Sequence, residues 1–253
     1  MIAGMQKCGT TALTSFLDQH PQLSMAKPKE PHIFDSPNYS PDWTTSEIDK
    51  RYARFFKHCD EEGQAMRGEA TPIYTLFPDI AAALGDYNPS LKIIILLRDP
   101  VARAVSHHAM EVRRGNENLP LWQALLMEPS RLSRCKEPRA ANSAMRRHSY
   151  RSRGLYSRQI QNLYGIFQHE QILLLRSEDL RKSHQATLQR VFSFLGVDDQ
   201  LQIDPQIVFA SERRTQYRVV PWLLHLTYTF ERIRLRRLLD DRGGKRGAGQ
   251  CAQ

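Results

Sequence analysis

The apolar run LKIIILL, residues 91–97, shows no alternation of polar and apolar side chains. A strand of this kind is covered on both faces, which is the habit of parallel sheets. Other short strands are predicted at 22–25, 66–70 and 171–176, and helices at 10–21, 46–58, 78–87, 154–168, 183–196 and 221–239. Strands that alternate with helices predict an α/β protein with a central parallel sheet flanked by helices in three layers.

The segment GMQKCGTT, residues 4–11, forms a glycine-rich loop between a short strand and the first predicted helix. Gly4 and Gly9 have the spacing of a P-loop, but the lysine stands two positions before the second glycine. The free N–H groups and the helix dipole at such a turn can hold a phosphate-like oxyanion. We therefore expect a P-loop-type fold whose ligand differs from that of a common nucleotide site.

The run 91–97 ends in Arg98, where a nucleotide hydrolase would carry a metal-binding aspartate. Arginine cannot bind Mg²⁺, but its guanidinium can form paired hydrogen bonds to a phosphate. Asp99 is a predicted N-cap and Pro100 a predicted first helical residue. Ligands of parallel sheets bind at the carboxyl ends of the strands, so Arg98 and the 4–11 loop should meet there.

The length of 253 residues with 41% hydrophobic content predicts one domain over residues 1–240. The Gly-rich, polar tail at 241–253 is predicted to be disordered. A net charge of +9 favours an anionic partner: nucleic acid, a nucleotide or an acidic polysaccharide. The four cysteines form no CxxC pair, which argues against a zinc site or a disulfide framework.

Together these features resemble the sulfotransferases that use 3′-phosphoadenosine 5′-phosphosulfate (PAPS). Their 5′-phosphosulfate loop has its lysine before the second glycine, and their 3′-phosphate element is a strand, an arginine and a serine eight residues on, as in Arg98 and Ser106. KEPHIFD, residues 29–35, is similar to the K-E-x-H-F-F signature of the heparan-sulfate-type and related bacterial branch. Residues 153–197 are similar to the later part of the same domain.

The resemblance implies transfer of a sulfuryl group from PAPS to a hydroxyl or amine of a carbohydrate or small-molecule acceptor by in-line displacement, with no metal. Lys7 would stabilise the leaving oxygen and Glu30 would accept the proton, with His32 as the alternative base. The implied donor contacts are Gln6, Lys7, Cys8, Gly9, Thr10, Thr11, Arg98, Ser106, Arg153, Tyr156, Arg213 and Arg214. The sequence around Arg213 and Arg214 lacks the family's glycine-rich form.

Several alternatives stay open. A P-loop nucleotide kinase is disfavoured by the displaced lysine and by the missing aspartate. A basic nucleic-acid-binding protein would use the Arg-rich segments 145–154 and 231–239, but these lack interleaved aromatics and a reading motif, so no nucleic-acid partner is expected. Glu30 could instead pair structurally with Lys27, Lys29 or an arginine.

The basic composition favours an anionic acceptor, with its contacts expected in residues 115–152, and leaves the oligomeric state open. No run of eighteen apolar residues and no signal peptide occur, so we expect no membrane span and a cytoplasmic location. The alternative is a Golgi lumenal protein whose anchor precedes Met1, because the strand before the glycine loop is very short.

Overall fold

The computed structural model of the chain describes residues 1–57, 66–205 and 221–247. The strands in this part are β1 (Ile2–Gly4), β2 (Leu23–Met25), β3 (Met66–Gly68), β4 (Ile93–Leu97) and β5 (Ile172–Arg176). β4 pairs with β1 and β5, β2 pairs with β3, and every pairing is parallel. The strands thus form two sheets, β1-β4-β5 and β2-β3. A backbone hydrogen bond of 2.8 Å from Ile2 N in β1 to the carbonyl of Glu69, which follows β3, joins them in the order β2-β3-β1-β4-β5.

Helices connect and flank these strands, which confirms the predicted α/β class. Their bounds are α1 (Thr10–Leu17), α2 (Thr45–Ala53), α3 (Pro78–Tyr87), α4 (Pro100–Arg113), α5 (Leu121–Ser133), α6 (Ala144–Arg147), α7 (Tyr156–Tyr164), α8 (Ser177–Lys182), α9 (His184–Leu195), α10 (Pro221–Thr227) and α11 (Thr229–Gly247). Short 3₁₀ turns lie at Tyr74–Leu76, Ser152–Gly154 and His169–Gln171.

Strand β4 is the centre of the core, since all five of its side chains are buried. It pairs with β5 in continuous register, with Ile95 opposite Leu174, whereas its register with β1 shifts between Ile2 and Gly4. The absence of alternation in the sequence therefore has its expected cause: helices cover both faces of this strand. Because β1 and β4 are adjacent, the loop after β1 and Arg98 after β4 leave the same edge of the sheet.

Capping residues fix the start of α4 and the end of α9. The Asp99 side chain accepts a hydrogen bond from Ala102 N at 2.9 Å, and Pro100 occupies the first turn, as predicted. Gly196 closes α9 with a φ of 78°, a left-handed conformation that favours glycine.

Some boundaries differ from the sequence prediction. Helix α1 ends at Leu17 because Asp18 accepts a hydrogen bond from Met25 N and pairs with Lys27, which turns the chain towards β2. The segment 115–152, in which no helix was predicted, contains α5 and α6. Helix α11 continues past residue 239 to Gly247, into the segment predicted to be disordered, because extending a formed helix costs much less than starting one.

A small apolar cluster separate from the main core joins α4, α5 and α10. Its members are Val101, Ala104, Leu121, Ala124, Leu125, Tyr150, Leu224 and Tyr228. This cluster attaches the 115–152 segment and the last helices to the helix that begins beside Arg98.

Candidate active site

The glycine loop stands at the carboxyl end of β1 and is pinned to the sheet by a hydrogen bond from Met5 N to Leu96 O, 2.9 Å. Gly9 has a φ of 95°, so it takes the left-handed conformation that glycine tolerates at the start of α1. Lys7 is also left-handed, with a φ of 68°. A non-glycine residue in this region carries strain of roughly 1–3 kcal/mol, and such strain concentrates at functional sites.

A cavity of about 1560 Å³ opens above this edge of the sheet. Typical ligand pockets measure roughly 300–1,000 Å³, so the space can hold more than one ligand. The predicted site residues that line it are Gln6, Lys7, Gly9, Thr10, Thr11, Glu30, His32, Arg98 and Ser106. The structure thus brings together three motifs that are up to about a hundred residues apart in sequence.

Lys7 extends from the loop towards α4, where its Nζ lies 3.7 Å from Met110 Sδ. Burial, followed by the nearby charges of Arg113, Arg114 and Arg98, lowers the pKa of Lys7. Arg98 Nη1 donates a hydrogen bond to the Lys7 carbonyl at 3.3 Å. The arginine at the end of β4 therefore supports the loop that carries the lysine.

Lys29 connects the glycine loop to Glu30. Its Nζ donates to Glu30 Oε1 at 2.8 Å, to Thr11 Oγ1 at 3.2 Å and to Thr10 Oγ1 at 3.4 Å. The structural alternative for Glu30, a pair with Lys29, is thus present in the structure, whereas Lys27 pairs with Asp18 at 3.0 Å.

His32 lies between two carboxylates. Its Nδ1 contacts Asp35 Oδ2 at 2.9 Å, and its Nε2 lies 3.5 Å from Glu30 Oε2. The hydrogen bond with Asp35, then that with Glu30, raises the pKa of His32 to about 9. Burial acts to raise the pKa of Glu30, but His32 and then Lys29 outweigh it and lower that pKa to about 2. Near neutral pH the pair is an imidazolium and a carboxylate.

The N–H groups of the loop are not equally available. Cys8 N already donates to Met5 O at 3.1 Å. The N–H groups in the first turn of α1, by contrast, have no partner inside the helix and point out of its N-terminus. Residues Thr10 and Thr11 add hydroxyls at the same place. This end of α1 is the part of the loop that can bind an oxyanion.

Three predicted donor contacts lie behind the loop, outside the cavity lining. Arg153 is 4% exposed, and its guanidinium donates to Gln6 Oε1, Ser149 Oγ and the carbonyls of Met145 and Arg146. Tyr156 is fully buried, with its hydroxyl 3.7 Å from Cys8 Sγ. Burial raises the pKa of the Cys8 thiol to about 11, so it stays neutral. Arg213 and Arg214 lie outside the described residues.

The cavity is also lined by side chains that were not predicted as site residues from the sequence. Among many apolar and neutral residues they include seven cationic ones, namely Lys29, Arg113, Arg114, Arg139, Arg146, Arg147 and Arg181, together with Met110 and Glu111. Several have acidic partners: Arg146 donates to Asp35 Oδ2 at 2.6 Å, Arg114 to Glu111 Oε1 at 3.3 Å, and Arg139 pairs with Asp79. The signal available in the sequence was the Arg-rich segment 145–154, whose placement depends on α6.

Within the described ranges, no group of three or more His, Cys, Asp or Glu side chains is placed to hold a metal ion. In the same part of the chain, no helix has both the length and the apolar character to cross a bilayer.

These features define a P-loop-type site for transfer of an anionic group. The site combines a glycine loop with an internal lysine after one strand, an arginine after the neighbouring strand and a carboxylate across the cavity. Residues 1–219 match the sulfotransferase domain family, and the chain belongs to that family.

Curated relatives and a solved structure are consistent with this assignment. The chain is similar to human heparan sulfate glucosamine 3-O-sulfotransferase 3B1, at 28% identity over 78% of this chain and 45% of the relative. It is 33% identical to the membrane-associated sulfotransferase kil1 of Dictyostelium discoideum over 48% of this chain and 25% of that protein. The chain therefore spans less than half the length of these curated relatives.

The crystal structure of a sulfotransferase from Alicyclobacillus acidocaldarius superimposes with a TM-score of 0.74. That protein is 27% identical in sequence, and the alignment covers 94% of both chains. The likeness therefore extends over nearly all of this chain.

Proposed function

We propose that the protein transfers the sulfuryl group of PAPS to a hydroxyl or amine of a carbohydrate or small-molecule acceptor. The observation that carries the proposal is that Lys7, inside the glycine loop, and Glu30 line one cavity. Lys29 joins Glu30 to Thr11 at the end of that loop. PAPS, when bound, supplies an activated sulfuryl group on a 5′-phosphate leaving group.

The cavity lining has the donor groups that the two phosphates of such a molecule require. The N–H groups at the start of α1, with the hydroxyls of Thr10 and Thr11, would hold the 5′-phosphate. Arg98 and Ser106, which line the same cavity, would hold the 3′-phosphate. The residue after β4 is an arginine, where a nucleotide hydrolase would carry a metal-binding aspartate. This arginine suits a ligand whose negative charge is neutralised by side chains.

Lys7 would act on the oxygen that bridges sulfur to the departing phosphate. Negative charge grows on this oxygen as the bond to sulfur breaks, so a fixed cation there stabilises the transition state more than the ground state. The partly buried position of Lys7 strengthens the interaction, because water screens it less. Arg98 holds the carbonyl of the same residue and so restrains the loop.

Glu30 is the better candidate for the base. His32 is already protonated up to a pH of about 9, so it cannot accept a proton at neutral pH, whereas Glu30 is ionised. An acceptor hydroxyl that replaces Lys29 at Oε1 would remove part of the charge that lowers the pKa of Glu30. The proton would then pass from the acceptor hydroxyl to a Glu30 oxygen, while the acceptor oxygen forms its bond to sulfur.

We further propose that the acceptor is anionic. Arg147 lines the cavity on α6, beside Arg146, whose contact with Asp35 ties α6 to the loop that carries Glu30 and His32. A guanidinium at this place suits a carboxylate or sulfate on the acceptor. The names of several relatives specify heparan sulfate glucosamine, which supports a carbohydrate acceptor.

Thermal unfolding in the presence of adenosine 3′,5′-bisphosphate tests the donor site. At a hundred times its Kd and with EDTA, this product analogue should add about 2.7 kcal/mol, which for a chain of this size raises Tm by about 5–10 °C. ATP with Mg²⁺ serves as the comparison. A shift with ATP·Mg²⁺ and none with the bisphosphate would favour a kinase. If the bisphosphate raises Tm, transfer of labelled sulfate from PAPS to acidic glycans tests the acceptor class.

A further inference from the structure

The outer face of the last helices carries an exposed apolar ridge, formed by Leu226, Phe230 and Ile233. Their exposed fractions are 63%, 74% and 45%. The spacing of four and three residues places them on one face of a helix. Large apolar side chains that are this exposed and lie in one line indicate a surface that binds another molecule or a membrane.

The ridge is continuous although it spans two helices. Tyr228 N donates to Leu224 O at 3.0 Å, and Arg232 N donates to Tyr228 O at 2.9 Å. The helical hydrogen-bond pattern therefore continues from α10 into α11, and residues 226 and 233 share one axis.

The opposite face of this helix is firmly attached to the domain, so the ridge must point away from it. The Glu231 carboxylate, 4% exposed, accepts hydrogen bonds from Ser157 N at 2.6 Å and from Ser157 Oγ at 2.8 Å. The Tyr228 hydroxyl donates to Arg151 O at 2.8 Å, and Arg232 pairs with Asp99 at 2.8 Å.

Arginines accompany the ridge. Arg234, Arg236 and Arg237 are exposed on α11. By helical geometry Arg237 follows Ile233 by one turn, while Arg234 and Arg236 flank the line on either side. In residues 224–239 the only acidic side chain is Glu231, which is buried on the inner face. Asp240 and Asp241 come next in the sequence. The outer face over residues 226–237 thus combines apolar bulk with positive charge.

We propose that this outer face binds the surface of an anionic lipid bilayer, with the ridge among the acyl chains and the three arginines at the headgroups. This is the arrangement by which an amphipathic helix lies in a membrane interface. Nucleic acid would use the arginines but leave the ridge in water. The proposal is independent of the sulfuryl-transfer reaction.

Co-sedimentation with vesicles tests the proposal. The whole chain is mixed with vesicles of phosphatidylcholine containing phosphatidylglycerol, and with vesicles of phosphatidylcholine alone. We expect binding to the first kind only, weakened by salt. Phe230→Ser should reduce binding about tenfold or more, and each of Arg234→Gln, Arg236→Gln and Arg237→Gln about fivefold.

Matched variants distinguish binding through this surface from non-specific adsorption of the protein to vesicles. Ile166 has the same exposed fraction as Ile233, 45%, but follows α7. Ile166→Ser should leave vesicle binding unchanged where Ile233→Ser weakens it. Arg54→Gln, Arg134→Gln and Arg190→Gln, all at exposed positions, remove equal charge elsewhere and should have little effect.

Four results would overturn the proposal: no vesicle binding, equal binding to neutral vesicles, equal loss in the matched variants, or a dimer in light scattering that Phe230→Ser abolishes. RNA binding lost with the arginines but kept in Phe230→Ser, without vesicle binding, would assign the face to nucleic acid. Circular dichroism of each variant verifies that it is folded.

Discussion

The buried carboxylate of Asp35 accepts a hydrogen bond from His32 Nδ1 at 2.9 Å and, on the same oxygen, one from Arg146 at 2.6 Å. One aspartate therefore links the loop that carries Glu30 and His32 to α6. His32 in turn holds Glu30 from its other ring nitrogen. The charge state of the proposed base thus depends on a residue that does not line the cavity.

Asp35→Asn should lower the pKa of His32 from about 9 towards its ordinary value of about 6.5. A group whose pKa is raised on folding stabilises the fold fully below its unfolded pKa. The stability supplied by His32 is therefore lost as pH rises from about 6.5 through about 9, and Asp35→Asn should flatten this dependence. NMR titration of the His32 ring measures the pKa. Asp79→Asn, which removes an exposed partner of Arg139, is the control, and an unmoved pKa in Asp35→Asn would contradict the argument.

Glu30→Gln should reduce turnover by about 10²–10⁴, the usual contribution of a general base, while the protein stays folded. His32→Asn should reduce it less, because His32 positions Glu30 and does not itself take the proton. Turnover is measured with labelled PAPS and folding by thermal unfolding. If Glu30→Gln kept its activity and His32→Asn lost it, the role of base would pass to His32.

Lys7→Ala should lower kcat by about 10²–10³, as removal of a charge-stabilising donor does in other enzymes. Binding of adenosine 3′,5′-bisphosphate should weaken as well, by about ten- to a hundredfold, because the 5′-phosphate of this product keeps the oxygen on which the charge develops. The matched control is Lys27→Ala, which removes a half-exposed lysine paired with Asp18. Equal losses of kcat in the two variants would remove Lys7 from the proposed mechanism.

Arg147→Gln should raise KM for an anionic acceptor with little change in kcat, and should leave the bisphosphate Tm shift intact. The physical reason is the loss of one charge-assisted hydrogen bond, worth roughly 1.5–3 kcal/mol, or about ten- to a hundredfold in KM. Steady-state kinetics at two salt concentrations measures the effect. An unchanged KM for an anionic acceptor would assign its recognition to other residues.

The sequence predicted the parts of the site that short motifs determine. Loop 4–11, Arg98 and the N-cap at Asp99 depend on backbone conformation close to them in sequence, so pattern and spacing were sufficient. The unbroken apolar run of β4 also predicted the parallel sheet, because a strand that is buried on both faces has apolar residues at every position.

What the sequence could not predict depends on contacts between distant segments. Arg146 reaches Asp35 from a segment whose helices had no clear pattern, so its place in the cavity became visible only in the fold. The predicted donor contact Arg153 is a different case: its guanidinium turns towards the back of the loop, where it donates to Gln6 Oε1, and it does not line the cavity. Whether a side chain faces a cavity or supports it from behind is decided by packing, not by spacing.

Arg153→Met should therefore destabilise the fold by about 2–4 kcal/mol, because it leaves Gln6 Oε1 and the carbonyls of Met145 and Arg146 without their donor while relieving a buried charge. Tyr156→Phe removes only the weak contact with Cys8 and should change stability by less than about 1 kcal/mol. Urea unfolding measures both. If Arg153 instead contacted the donor directly, Arg153→Met would keep its stability and lose affinity for adenosine 3′,5′-bisphosphate, so the two measurements together distinguish a support of the loop from a ligand contact.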